Sequence, residues 1–313
     1  MRFSFDSLPI STLIGADSQT FSSVTRSTQI DHRWRYMLTK CCQRLLNPLY
    51  SINSREASRI ELPQIVAPLF IIGHWRSGTT LLHNLMSRDP QFGYCTTYQT
   101  IFPHLMFRGG GVAERLMAAV MPSSRPKDNS LLTTSQPQEE EFAIANMTAA
   151  SYYHAWIFPR NIPLYRSRYL LFDNCSEREL REFCHATIQV MQTALYCQGK
   201  GRFLSKNPPH TARIPILMHL FPDAKFIYIH RNRRDVIRST KEFFRQTTAA
   251  IALQDVPTQW LDNQVVETYD ALIGRYNRDK HLIPKGSLCE VAFDRLIAQS
   301  QGTIEYIYDR LGL

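Results

Sequence analysis

The sequence predicts an α/β fold, a parallel sheet flanked by helices on both faces, as a single domain carrying helical insertions. Three observations point there. Apolar runs at 69–72, 224–229 and 288–293 have strand length and lack the polar alternation of a half-exposed strand. Longer segments with apolar residues at helical spacing separate them. The first run opens onto a polar, glycine-containing loop and then a helical pattern, an order that collects unpaired backbone N–H groups at one spot.

Taken in order, residues 1–23 are polar, rich in Ser and Thr, and read as irregular. Over 29–49, Trp34, Met37, Leu38, Cys41, Leu45 and Leu46 recur at helical spacing, with Arg33, Arg35, Lys40 and Arg44 between them. This predicts an amphipathic helix, either packed on the domain or resting on a membrane surface as a peripheral contact. The expected division is a helical segment at 1–60, packed on or extending the core, and a main domain at 61–313 with an insertion at about 94–200. After the central loop a helix runs from about Thr79 to Asp89-Pro90. Residues 94–108 are aromatic and read as irregular, Gly109 to Gly111 as a break, and 122–129 as an exposed loop. Ser135, Pro137 and the acidic run Glu139-Glu140-Glu141 read as a helix start, because carboxylates suit a first turn. Ser176 and Glu179 form a capping box for a helix that Gly199 and Gly201 close. Residues 203–206 read as a short apolar entry to a loop, and 214–220, 233–245, 260–277 and 303–311 as helices.

A chain of 313 residues, 44% hydrophobic and 20% charged, can bury a good core. Its apolar runs fall short of the roughly 18 residues a membrane span needs, so no transmembrane helix is expected. The N-terminus has no basic start followed by an apolar block, so no signal peptide is expected either. Seven scattered cysteines without C-x-x-C pairs predict free thiols in a reducing, cytoplasmic setting and neither a zinc site nor a disulfide framework. The net charge of +9 favours anionic partners. No zinc-finger, KH or RNP pattern is present, so nucleic acid is not the expected partner.

The central stretch reads LFIIGHWRSGTTLLHNLM from Leu69 to Met86. Gly73 and Gly78 let the backbone take positive φ and approach a ligand, while Arg76, Ser77, Thr79 and Thr80 add donors. The spacing of the two glycines is P-loop-like, but Thr79 stands where a P-loop has its lysine. Arg76-Ser77-Gly78-Thr79-Thr80 resembles the 5′-phosphosulfate loop of sulfotransferases that use 3′-phosphoadenosine 5′-phosphosulfate (PAPS). The fuller HWRSGTTLLHN, with Pro137 to Glu141, is similar to a bacterial branch of that superfamily, related to the tyrosylprotein type.

The resemblance has a second part. In the family an arginine closing a strand and a serine eight positions on hold the 3′-phosphate, and Arg231 and Ser239 have that separation. In tyrosylprotein-type relatives a lysine about 25 residues before that arginine faces the transferring group, which implies Lys206 here. The family's catalytic histidine of small-molecule enzymes has no match, since Pro208 stands at its position, and the tyrosylprotein-type glutamate position falls on Thr97. For the general base the acidic run leaves Glu139 or Glu141, with His210 in reserve: a carboxylate beside Phe142 and Ile144 sits in an apolar setting that favours its holding a proton.

The resemblance thus implies transfer of a sulfuryl group from PAPS to a hydroxyl, without a metal, with Arg76 and Lys206 neutralising the charge that develops. Aromatic density at 94–108 and 140–165 predicts an acceptor pocket built from Tyr98, Phe102, Tyr152, Tyr153, His154, Trp156 and Phe158, suited to a steroid, sterol, phenol or lipid alcohol. Relatives continue further beyond the last strand, so a shorter nucleotide lid is expected. A P-loop kinase or NTPase and a non-catalytic nucleotide binder are the alternatives.

Overall fold

The computed structural model describes residues 10–26, 28–57, 59–108, 111, 114–115, 117–118 and 133–313. Most of the predicted break at Gly109 to Gly111, and all of the loop at 122–129, lie outside the described residues.

Five parallel strands form the sheet: β1 (Leu69–Ile72), β2 (Phe92–Gly93), β3 (Arg202–Lys206), β4 (Lys225–His230) and β5 (Leu288–Ala292), in the order β2-β3-β1-β4-β5. β1 is central, and every one of its residues is buried. Its side chains alternate between two cores, as the period of a strand requires. Phe70 and Ile72 join one cluster with Phe203, Phe226 and Phe244. Leu69 and Ile71 join the other with Leu204, Ile227, Ile229 and Val291.

Among the described residues the α-helices of five residues or more are α1 (Ser18–Thr25), α2 (Arg33–Ala57), α3 (Thr79–Met86), α4 (Thr97–Ile101), α5 (Glu141–Met147), α6 (Glu177–Gln198), α7 (Ile214–Leu220), α8 (Arg233–Ile251), α9 (Thr258–Asp279), α10 (Phe293–Ala298) and α11 (Ser300–Leu311). Apolar residues of α6, α8 and α9 fill the first core, and those of α3, α10 and α11 fill the second. The sheet is therefore covered on both faces. The loops after β1 and β4, which are neighbours in the sheet, leave its carboxyl edge side by side, where open α/β sheets bind ligands.

Four expectations are corrected. Residues 202–206 are a full strand between β2 and β1, where parallel pairing supplies what a short run lacks alone. Residues 18–25 form a helix, since the Asp17 side chain accepts from Thr20 N at 2.7 Å and caps it. Residues 97–101 also form a helix, opened by the reciprocal Thr96 and Gln99 capping box. The acidic helix starts only at Glu141: Pro137 bridges antiparallel to Thr96, and Gln138 N donates to Cys95 O at 2.8 Å, which holds this stretch extended across the site.

A fifth correction concerns α2. Much of its apolar stripe does not face the domain, for Trp34, Met37 and Leu45 are 70%, 55% and 79% exposed, while Tyr36 and Leu46 pack against the cores. Polar anchors face inward instead. Thr39 Oγ1 accepts from Ser11 N at 3.0 Å, Tyr50 OH donates to Ile14 O at 3.0 Å, and Asn53 Nδ2 donates to His104 O at 2.6 Å. Arg35 caps the end of α8 by donating to Ala252 O at 2.6 Å and Ala249 O at 3.1 Å. Satisfying those buried backbone groups fixes the rotation of α2, and the apolar stripe is left in solvent.

Candidate active site

The loop from β1 to α3 is held by its backbone. Gly73 has φ 145° and Gly78 φ 107°, and a Cβ at either would run into Ile229 O or the Phe293 ring. Thr211 Oγ1 accepts from Gly73 N at 2.7 Å and donates to Gly73 O at 3.1 Å, which pins the start of the turn. Arg76 is left-handed at φ 67°, an uncommon conformation for a residue with a side chain. Its Nε donates to Ser239 Oγ on α8 at 3.0 Å, and this holds the guanidinium over the loop. Burial lowers the His74 pKa to about 4, so this neighbour brings no positive charge at neutral pH.

Arg231 leaves the end of β4 with its guanidinium 4.4 Å from the Phe293 ring centroid. Neither Arg76 nor Arg231 makes an ion pair with a carboxylate among the described residues. Both line one cleft of about 390 Å³, together with Gly78, Thr79, Thr80 and Glu139. Two unneutralised cations, a helix N-terminus and threonine hydroxyls thus converge on one space, an arrangement that favours a ligand with more than one negative group. The Ser77 hydroxyl is buried without a hydrogen-bond partner among the described residues and does not line the cleft.

The acidic run lies against the chain that leaves β3, each carboxylate on its own partners. Glu139 accepts from Lys206 Nζ and from Tyr153 OH. Glu140 accepts from Ser205 Oγ and lies 3.2 Å from His210 Nε2. Glu141 accepts from Arg213 through two bonds of 2.7 and 2.9 Å, from Asn207 at 2.9 Å and from Ser151 at 2.8 Å. Burial pushes the Glu141 pKa up, but the Arg213 charge and hydrogen bonds outweigh that and hold it down at about 2. Burial, and then the Glu139 charge, push the Tyr153 phenol well above its ordinary range, so Tyr153 remains a donor. Glu139 alone of the three lines the cleft, at 9% exposure against 1% and 0% for Glu140 and Glu141.

The family model for sulfotransferases matches residues 68–313. The chain belongs to the sulfotransferase family. It is 32% identical over 246 residues to the omega-hydroxy-beta-dihydromenaquinone-9 sulfotransferase Stf3 of Mycobacterium bovis and of Mycobacterium tuberculosis. The match covers 79% of the chain and 63% of either relative, so the chain spans somewhat under two thirds of their length. Its fold is that of sulfotransferase STF1 from Mycobacterium tuberculosis, with a TM-score of 0.70 at 19% identity over 94% of this chain and 81% of the other. It is also that of STF9 from Mycobacterium avium, with a TM-score of 0.67 at 16% identity over 94% and 79%.

Within this member of the family, the residues singled out in sequence fall into three groups. Arg76, Gly78, Thr79, Thr80, Glu139 and Arg231 line the cleft. Ser239 is one hydrogen bond from Arg76, and Lys206 one ion pair behind Glu139. Glu141 and His210 are fully buried and off the cleft, bonded to Arg213 and placed beside Glu140.

The expected acceptor aromatics are displaced. Tyr98 and Phe102 belong to a separate core with Tyr50, while Tyr152, Trp156 and Phe158 are fully buried. His154 lies with its ring nitrogens at 2.9 and 3.2 Å from the Ala145 and Ala149 carbonyls. The aromatic walls of the cleft are Trp75, Phe142, Phe243 and Phe293. Spacing carried a signal for one of them: Phe243 lies one turn beyond Ser239 on α8.

Proposed function

We propose that this protein moves the sulfuryl group of PAPS to the hydroxyl of an apolar acceptor, a lipid or ring-bearing alcohol, leaving a sulfate ester and 3′-phosphoadenosine 5′-phosphate. The observation that carries the reading is the pair Arg76 and Arg231, two cations without acid partners among the described residues, lining one cleft with Glu139. Family membership and the lipid quinone in the name of the Stf3 relatives support it.

When bound, PAPS supplies the sulfuryl group and a phosphate leaving group. Arg231 and Ser239 hold the 3′-phosphate through charge-assisted hydrogen bonds. The backbone N–H groups of the loop, Ser77, Thr79 and Thr80 hold the 5′-phosphosulfate at the positive end of α3. Arg76 neutralises charge that grows on the sulfuryl oxygens and on the departing phosphate. Glu139 takes the proton of the acceptor hydroxyl, with Tyr153 fixing the orientation of the carboxylate. Lys206 stands behind Glu139, poised to shift its hydrogen bond toward the anionic donor. Glu141 serves as an anchor that, through Arg213 and Asn207, holds the acidic run against the segment after β3. The walls formed by Trp75, Phe142, Phe243 and Phe293 suit an apolar acceptor and keep water from the reacting centre.

The test is incubation with PAPS and a panel of phenols, sterols and lipid alcohols, followed by mass detection of sulfated product. A sulfate ester on at least one acceptor is expected. Binding of 3′-phosphoadenosine 5′-phosphate without transfer to any of them would reduce the protein to a nucleotide binder.

A further inference from the structure

Helix α2 carries a solvent-facing apolar stripe. Trp34, Met37, Leu45, Leu49 and Ile52 are 70%, 55%, 79%, 41% and 47% exposed. With Cys41 and Pro48 they follow one another every three or four residues, so they share one side of the helix along about 27 Å. The opposite side is occupied by the buried anchors Thr39, Gln43, Tyr50 and Asn53, which leaves the helix no freedom to turn the stripe inward. Contiguous exposed apolar surface of this kind marks a place where something docks.

The charges select the occupant. From Arg33 to Asn53 the helix holds no carboxylate, while Arg33, Lys40 and Arg44 fall along one flank of the stripe. Among the described residues none of the three pairs with an acid; Lys40 rests over the Tyr36 ring at 5.4 Å. A second copy of the helix would bring its own cations and offer no acid to match them. An anionic lipid surface satisfies both features: the apolar side chains enter the acyl boundary, and the long cationic side chains reach the headgroups. No described helix is long and apolar enough to cross a membrane, so the contact is lateral.

We propose that α2 lies on the surface of an anionic bilayer, with its Trp34 to Ile52 stripe in the lipid and Arg33, Lys40 and Arg44 at the phosphates. This inference is independent of the reaction assigned to the cleft, and its test reads binding alone. The intact chain is sedimented with vesicles of phosphatidylcholine alone and of phosphatidylcholine mixed with phosphatidylglycerol, and tryptophan emission is followed in parallel.

Sedimentation with the anionic vesicles, weakening as salt rises, and a blue shift on binding are expected. The double variant Trp34→Glu/Leu45→Glu, at exposed positions where folding is checked by circular dichroism, should lower partition about tenfold or more. Arg33→Glu/Arg44→Glu should remove the preference for anionic over neutral vesicles. Failure to bind anionic vesicles, or wild-type partition in the glutamate variants, overturns the proposal. A dimer in solution that those variants dissociate, without lipid binding, assigns the stripe to a second copy and overturns it equally.

Discussion

Arg76 Nε donates to Ser239 Oγ at 3.0 Å, a bond that joins positions 163 residues apart and fastens the loop after β1 to the helix after β4. Two segments that could each hold one anion are thereby set around a single cleft. Arg231→Ala should weaken binding of 3′-phosphoadenosine 5′-phosphate by about tenfold to hundredfold, the worth of hydrogen bonds to a charged group. Ser239→Ala should cost less, because it removes one neutral donor and loosens Arg76. Calorimetric titration checks both, and wild-type affinity in the Arg231 variant removes that residue from the nucleotide site.

Glu139→Gln keeps the shape of the cleft and removes the proton acceptor. Turnover should fall by about a hundredfold or more while nucleotide affinity stays near wild type. Single-turnover kinetics separates the two quantities. An active Glu139→Gln enzyme would require a different base.

Glu141 and Arg213 form a buried pair, and a role in stability is expected of it. Glu141→Gln leaves the guanidinium buried without a counter-charge, and a loss of about 3–5 kcal/mol is expected at neutral pH. Because the Glu141 pKa is depressed to about 2 in the fold, its contribution is fully present above the ordinary carboxylate value and is lost as pH falls toward 2. Thermal unfolding followed from pH 7 to pH 2 should therefore show a weaker acid dependence in the variant. Parallel curves for the two proteins would contradict this role.

Gly78→Ala places a methyl against the Phe293 ring at a backbone position with φ 107°. Strain of about 1–3 kcal/mol should distort the loop, and nucleotide binding should drop more than thermal stability does. Unchanged affinity would show that the loop tolerates a side chain there.

The sheet and its carboxyl edge were legible because β1, β4 and β5 are unbroken apolar runs, and the turn after β1 because Gly73, Gly78 and Arg76 stand at positions with strong backbone demands. β2 was not legible: two residues, Phe92 and Gly93, carry no period of their own and become a strand only by pairing with Arg202 and Phe203. The walls of the cleft were not legible, since aromatic density over 151–158 looks the same for core and pocket; tertiary packing alone separates buried Trp156 from cleft-lining Phe142. The acidic run was legible as a cluster but the separate partners of its three carboxylates were not, since Lys206, Ser205 and Arg213 arrive from a strand and loop distant in the chain. Which side of α2 faces the domain was not legible for a similar reason, as hydrogen bonds of Thr39, Tyr50 and Asn53 help to set its rotation.

The central claim, that Arg231 grips the 3′-phosphate of a nucleotide whose 5′ end lies against the loop of Arg76, is tested most directly by comparing two ligands that differ only in the 3′-phosphate. Titration of the wild-type protein should show 3′-phosphoadenosine 5′-phosphate binding at least about tenfold tighter than adenosine 5′-phosphate, with the gap closed by Arg231→Ala. Equal affinity of the wild-type protein for the two ligands would contradict it.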